Sequence, residues 1–177
     1  MTLEPAFTWI PALFCALLLA RAAVHKLAQW REFVAVVQNY RIVPERIAGM
    51  AAAIVTGCEL SASLLLLLPT TRTSGALVAA FLFVTYAGAI ALNLRRGRAS
   101  IDCGCVAASN RRPIGAWMVW RNLALASAAA LAALPMNARA LVTLDVLTIV
   151  AAIAALTLLY AAFDQLASTS SRTGVAT

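Results

Sequence analysis

Five long apolar stretches separated by polar punctuation organise the chain, at residues 8–28, 47–68, 75–94, 114–134 and 141–163. Each is close to the roughly 20 residues an α-helix needs to cross a hydrocarbon core of about 30 Å. A helix also pairs its own backbone groups, which lipid cannot do. Pro69 and Pro135 stand just past two of the stretches, where a residue without an amide proton stops a helix. The links between the second and third stretches and between the fourth and fifth are a few residues long, which predicts two antiparallel hairpins. The expected fold is all-α: a polytopic transmembrane bundle of about five helices over residues 1–167, followed by a Ser/Thr-rich tail, 168–177, expected to be disordered. No internal repeat is visible.

Two connections are longer. In residues 29–46, Trp30, Phe33, Val34, Val37 and Tyr40 recur at helical spacing while Arg31, Glu32, Gln38 and Arg41 occupy the rest of the turn, and Pro44 closes the pattern. This predicts an amphipathic helix lying in the headgroup plane. Residues 95–113 show no periodicity; they form a basic loop that carries Cys103 and Cys105.

Composition removes the soluble classes. With 63% hydrophobic residues and 12% charged ones, the chain is far more apolar than a soluble domain of its size requires, and a lipid bilayer is its expected solvent. The net charge of +7 would suggest nucleic acid in a soluble protein, but here the basic residues flank apolar runs, so no nucleic-acid partner is expected. Arg31, Arg41, Arg46, Arg95, Arg96, Arg98, Arg111 and Arg112 make eight loop charges on one side, against Arg72 and Arg139 on the other. The positive-inside rule then places the amino terminus outside, both long loops in the cytoplasm and the carboxyl tail inside. The first apolar run has Glu4 rather than basic residues ahead of it and is longer than the core of a signal peptide, so it is expected to persist as a helix.

The sharpest chemical signal is Asp102-Cys103-Gly104-Cys105. Two cysteines around one glycine can come within disulfide distance, in a small strained ring. A strained bridge is labile and suits exchange rather than structural support. The arginines at 95, 96, 98, 111 and 112 favour the attacking thiolate, and Asp102 opposes it weakly. The plain alternative is two unrelated loop cysteines. A metal site built from Cys103, Cys105, His25 and Asp102 is the other rival, but one distant histidine fits metal-ligand spacing poorly and no metal is assigned. Cys15 and Cys58 lie inside apolar runs, where thiols behave as small hydrophobes.

Ionisable residues inside the runs should avoid lipid. Arg21, Glu59 and Arg121 would each cost about 2.5 to 3.5 kcal/mol at a helix centre, so Glu59 is expected to pair with Arg21 or Arg121. His25 follows Arg21 by four residues and shares its face, whereas Lys26 is expected to snorkel to the headgroups. Asn93 and Asn122 fall in the same layer. A polar clasp that fixes packing and a direct part in proton or electron transfer both remain open. Asp145 is expected to be solvated or to cap a helix. Gly49, Gly57, Gly75, Gly88 and Gly115 are expected to allow close helix contacts.

In order and spacing, Arg21-Ala-Ala-Val-His25-Lys26, the 33–40 segment leading to Pro44, Asn93-Leu-Arg-Arg-Gly97, Asp102-Cys-Gly-Cys105 and Arg121-Asn122 resemble the MauE family of methylamine utilisation membrane proteins, which groups with DoxX-like membrane proteins. The resemblance implies a bacterial inner-membrane protein that takes part in maturing the small, disulfide-rich subunit of methylamine dehydrogenase, beside a thioredoxin-like partner outside the membrane. It implies that Cys103 and Cys105 are the exchanging pair, with Arg21, His25, Lys26, Arg121 and Asn122 as motif residues of unassigned role. Cys15 and Cys58 match no motif of the family.

Together these features describe a membrane thiol-disulfide redox protein, a candidate oxidoreductase supporting disulfide formation in an exported client. The rivals are a noncatalytic scaffold that docks the thioredoxin-like partner or its client, and a transporter built on the Glu59 and arginine clasp. The transporter lacks a broken helix to line a path. No cofactor is expected; a quinone stays open as an alternative that the residues do not themselves support. The charge count places the thiol loop inside while the resemblance places the client outside. Either the loop dips into the bundle, with Gly97 and Gly104 permitting the bend and Cys58 and Cys15 as deeper stations, or it faces outside.

Overall fold

Proline in the first turn, where its missing amide proton costs nothing, starts the first helix, α1 (Pro5–Ala28). The computed structural model describes residues 4–99, 101, 114–135 and 139–173. After α1 the chain continues through α2 (Trp30–Tyr40), a 3₁₀ turn (Glu45–Ile47), α3 (Ala48–Leu66), α4 (Arg72–Arg95), α5 (Ala116–Ala132) and α6 (Thr143–Thr173). The apolar runs thus become α1, α3, α4, α5 and α6, and the amphipathic segment becomes α2. On α2, Phe33, Val34, Val37 and Tyr40 are half-buried while Arg31, Glu32 and Gln38 are exposed, as the sequence pattern requires.

Pro5–Ala28, Glu45–Leu66, Arg72–Arg95 and Thr143–Leu166 are long and apolar enough to cross a membrane. With 17 residues, α5 spans about 26 Å at 1.5 Å per residue, slightly less than a hydrocarbon core. The protein is a multi-pass helical bundle. Helix α6 runs to Thr173, six positions into the stretch expected to be a disordered tail. No glycine or proline interrupts 143–173, and serine and threonine only weaken a helix.

Small residues line the helix contacts: Ala12, Ala52, Ala62, Ala76, Ala79 and Ala129 are wholly buried. The most extensive packing is between α4 and α5, followed by α1 against α3 and α3 against α4; α6 lies outside, on α1. At the tight α3–α4 hairpin, a Cβ on Gly75 would come within 2.8 Å of Leu65 Cβ and the Leu66 nitrogen, so only glycine fits. Gly49, Gly57 and Gly88 have nothing within 4 Å of such a Cβ, which corrects the expectation that they mediate close contacts. Alanines serve there instead.

The hairpins give the bundle two unlike ends. One, the hairpin end, holds the start of α1, the α3–α4 turn and the α5–α6 link. The other, the loop end, holds the end of α1, α2, the start of α3 and the connection from α4 to α5. Helix α4 stops there in a Schellman motif: Gly97 has φ +70, its N–H donates to Leu94 O, and Arg98 N–H donates to Asn93 O.

Candidate functional site

Asp102, Cys103 and Cys105 lie outside the described residues. The two feet of their connection are described, and they are held together: Ile114 N–H donates to Ile101 O at 3.1 Å. Ile114 is buried with Ile90 and Met118, and Tyr40 from α2 packs against the group. Arg96 Nη1 donates to Arg41 O at 3.3 Å, tying the end of α4 to the turn after α2. Both ends of the thiol connection therefore leave from one anchored place at the loop end.

Beneath that anchor is a buried ion pair. Lys26 Nζ lies 2.5 Å from Glu59 Oε1, and the two side chains are 5% and 0% exposed. Tyr86 Oη donates to the same Glu59 oxygen at 2.6 Å and accepts from Lys26 Nζ at 3.1 Å. The ammonium also sits 4.8 Å from the centre of the Phe33 ring and 4.9 Å from that of Tyr86. Four helices, α1, α3, α4 and α2, meet in this cluster. Glu59 Oε2 is buried with no hydrogen-bond partner.

This corrects two expectations. Glu59 pairs with Lys26, not with Arg21 or Arg121, and Lys26 does not snorkel to the surface. Five residues of α-helix rotate a side chain by about 140°, so when Lys26 faces α3, Arg21 points away from it, and it is exposed. The lysine stem is long enough to reach inward, and a carboxylate, a hydroxyl and two rings replace its lost water. His25 is half-buried beside it.

Arg121 has a different acidic partner. Its Nη1 donates to Asp164 Oδ1 on α6 at 2.9 Å, and its guanidinium lies 5.0 Å from the Trp117 ring and 5.7 Å from Tyr160. Trp117 meets Phe163 edge to face, and Phe14 meets Tyr160 the same way, so aromatic contacts flank the ion pair and attach α6. Asn122 and Asn93 are buried, but each turns its amide back to its own helix, to Met118 O and Ala89 O. They share the layer without joining either charge cluster.

Two partners escaped the sequence reading. Tyr86 is the one hydroxyl-bearing ring within the 75–94 run, at a depth that suits Glu59, and that was the available signal. Asp164 falls one residue past the edge set for the last run. Cys15 is buried and Cys58 half-buried; both are free thiols. Among the described residues no cluster of histidine, cysteine and carboxylate could hold a metal ion. The three-membered network of Lys26, Glu59 and Tyr86 ties α1, α3 and α4 together within the bundle.

The sequence model of the methylamine utilisation protein MauE matches residues 4–135. The chain is 39% identical over 170 residues to the methylamine utilization protein MauE of Methylophilus methylotrophus, covering 93% of this chain and 87% of that one. It is 37% identical over 170 residues to the MauE protein of Paracoccus versutus, covering 96% and 91%. It is 41% identical over 126 residues to that of Methylorubrum extorquens, covering 71% and 68%. No solved structure matches. With a family match over most of its length and relatives of this similarity, the chain belongs to the MauE family of methylamine utilisation proteins.

Proposed function

We propose that the chain is an inner-membrane thiol-disulfide exchange protein that supports disulfide formation in an exported client, the small subunit of methylamine dehydrogenase. The observation that carries this reading is the Asp102-Cys103-Gly104-Cys105 sequence, placed between Ile101 and Ile114, whose backbones are hydrogen bonded, and flanked in sequence by five arginines. A client thiolate attacks the Cys103–Cys105 disulfide; one sulfur joins the client and the other leaves as thiolate. The client's second thiolate then displaces the first cysteine. The client gains a disulfide, and Cys103 and Cys105 take up two electrons and two protons. A thioredoxin-like protein in its disulfide form reoxidises the pair by the reverse exchange.

Charge supports an orientation with the amino terminus outside. At the loop end Arg31, Arg41, Arg46, Arg95 and Arg96 are exposed, whereas at the hairpin end Arg72 is buried and Arg139 is paired with Glu4 and Asp145. The thiol connection then starts on the cytoplasmic side while the client is outside, so the reading requires thiol equivalents to pass across the membrane.

Trapping tests the chemistry. Cys105→Ser and Cys103→Ser should each accumulate a mixed disulfide with an external thioredoxin-like protein or the client, and the double variant should leave the client reduced. A fully oxidised client in the double variant would reduce the protein to a docking scaffold. Impermeant thiol reagent added to spheroplasts should not label Cys103; steady labelling from outside would overturn the orientation and leave exchange at one surface.

A further inference from the structure

The two arginines at the hairpin end are treated very differently. Arg139 is exposed and lies between two carboxylates, with Glu4 Oε2 at 2.9 Å and Asp145 Oδ2 at 2.7 Å. Arg72 is only 4% exposed and faces no carboxylate among the described residues, because both acids of this end are engaged by Arg139. Its Nη2 donates to Leu134 O at 3.1 Å, at the end of α5, and its guanidinium carbon lies 5.8 Å from the Trp9 ring. Nε and Nη1 are buried without a hydrogen-bond partner. A buried guanidinium with two unmade charged donors carries a substantial desolvation penalty until a counter-ion arrives.

Arg72 is also the first residue of a 24-residue helix whose start has no side-chain cap. The Thr71 hydroxyl, which could have capped it, donates instead to Leu65 O at 2.9 Å. The unpaired amides and positive dipole end of α4 therefore add to the arginine, and the Thr73 and Ser74 side chains are exposed on the same turn. A planar fork of donors beside a helix start matches a tetrahedral oxyanion.

We propose that Arg72 and the first turn of α4 form a binding site for a phosphate group at the hairpin end of the bundle. Trp9, which is only partly exposed, lies over the guanidinium at the edge of this site. At the rim of a membrane bundle the phosphate comes either from a phospholipid headgroup or from a free anion, and the recognising chemistry is the same.

The test is thermal melting of the full chain, purified and delipidated in detergent, titrated with phosphatidylglycerol, with diacylglycerol, and with inorganic phosphate against chloride at equal ionic strength. Phosphatidylglycerol should raise the melting temperature and diacylglycerol should not. Arg72→Gln should weaken the apparent affinity about tenfold or more, as loss of charge-assisted hydrogen bonds requires, while Arg139→Gln should respond as the unmodified chain does. Arg72→Lys keeps the charge and a donor for Leu134 O but loses the fork, so it should fold and still bind severalfold more weakly. A shift reproduced by inorganic phosphate alone would support the site and assign it to a free anion. A response in Arg72→Lys equal to that of the unmodified chain, or no response to either phosphate source, would overturn the proposal and leave Arg72 as a cap on α5.

Discussion

The loop end and the hairpin end of the bundle handle charge in opposite ways. At the loop end ionisable side chains form two layers: exposed arginines at 31, 41, 46, 95 and 96 meet the surroundings, and beneath them the Lys26–Glu59 and Arg121–Asp164 pairs are enclosed. At the hairpin end the carboxylates of Glu4 and Asp145 are engaged by the exposed Arg139, and the enclosed charge is Arg72, whose described contacts are a carbonyl and a ring. Enclosed charges at the loop end are thus neutralised within the chain, whereas the hairpin end leaves a cation for something else to neutralise. A sequence count treats all these arginines alike. Burial separates those that orient the chain from those that hold it together.

If neutralisation within the chain is what stabilises the loop end, the largest effect should come from Glu59. Glu59→Gln leaves the buried Lys26 ammonium uncompensated and should lower the unfolding free energy in detergent by about 3 kcal/mol or more. The Lys26→Met/Glu59→Leu double variant should recover most of that, since a buried pair can often be replaced by apolar residues of similar volume. Unchanged stability in Glu59→Gln would remove the contrast between the ends. Next comes Asp164→Asn, expected to cost about 1.5 kcal/mol because its partner is less deeply enclosed. Chemical denaturation in detergent is the measurement, and a loss equal to that of Glu59→Gln would mean that the two enclosed pairs contribute equally.

A smaller loss, about 1 kcal/mol, is expected for Tyr86→Phe, which removes one hydroxyl from the cluster and leaves the ion pair in place. Chemical denaturation is the measurement, and a loss as large as that of Glu59→Gln would mean that the hydroxyl, not the pair, holds the site. The smallest effect is expected for Arg139→Gln, whose exposed staple should change stability hardly at all. Asp145 first, and then Glu4, hold the Arg139 guanidinium above its ordinary range. A raised value means its contribution is complete below the ordinary arginine value and is lost only at still higher pH, so melting between pH 6 and 9, roughly the workable range, should show no dependence on this group.

The helices were legible in the sequence because apolar length is a local property: each run of residues declares its own span, and the 33–40 spacing declares α2. The pairings were less legible because they depend on how each helix is rotated toward its neighbours. Arg21 and Lys26 are equally charged and almost adjacent, yet their positions around α1 give one to the exterior and the other to Glu59. Asp164 was hidden by a different cause, an apolar run that ends at Phe163 while the helix continues. Glycine was overvalued for the same reason as arginine: of the helical glycines, Gly75 faces the neighbouring backbone, and Gly49, Gly57 and Gly88 face none. The cysteine pair, Cys103 and Cys105, was visible as a motif and lies outside the described residues.

The Arg121–Asp164 pair has a consequence for how the chain is made. Helix α5 is the shortest of the apolar helices, and it carries an arginine whose cost in lipid is about 2.5 to 3.5 kcal/mol near a helix centre. The carboxylate that relieves this cost is translated 43 residues later, on α6. Helix α5 is therefore poorly suited to enter the bilayer alone, and α6, strongly apolar and only 6% buried across its span, is well suited to enter by itself. Insertion of the last two helices as a preformed hairpin lets α6 bring α5 with it, so truncating the chain before Asp164 should leave α5 stalled at the membrane surface.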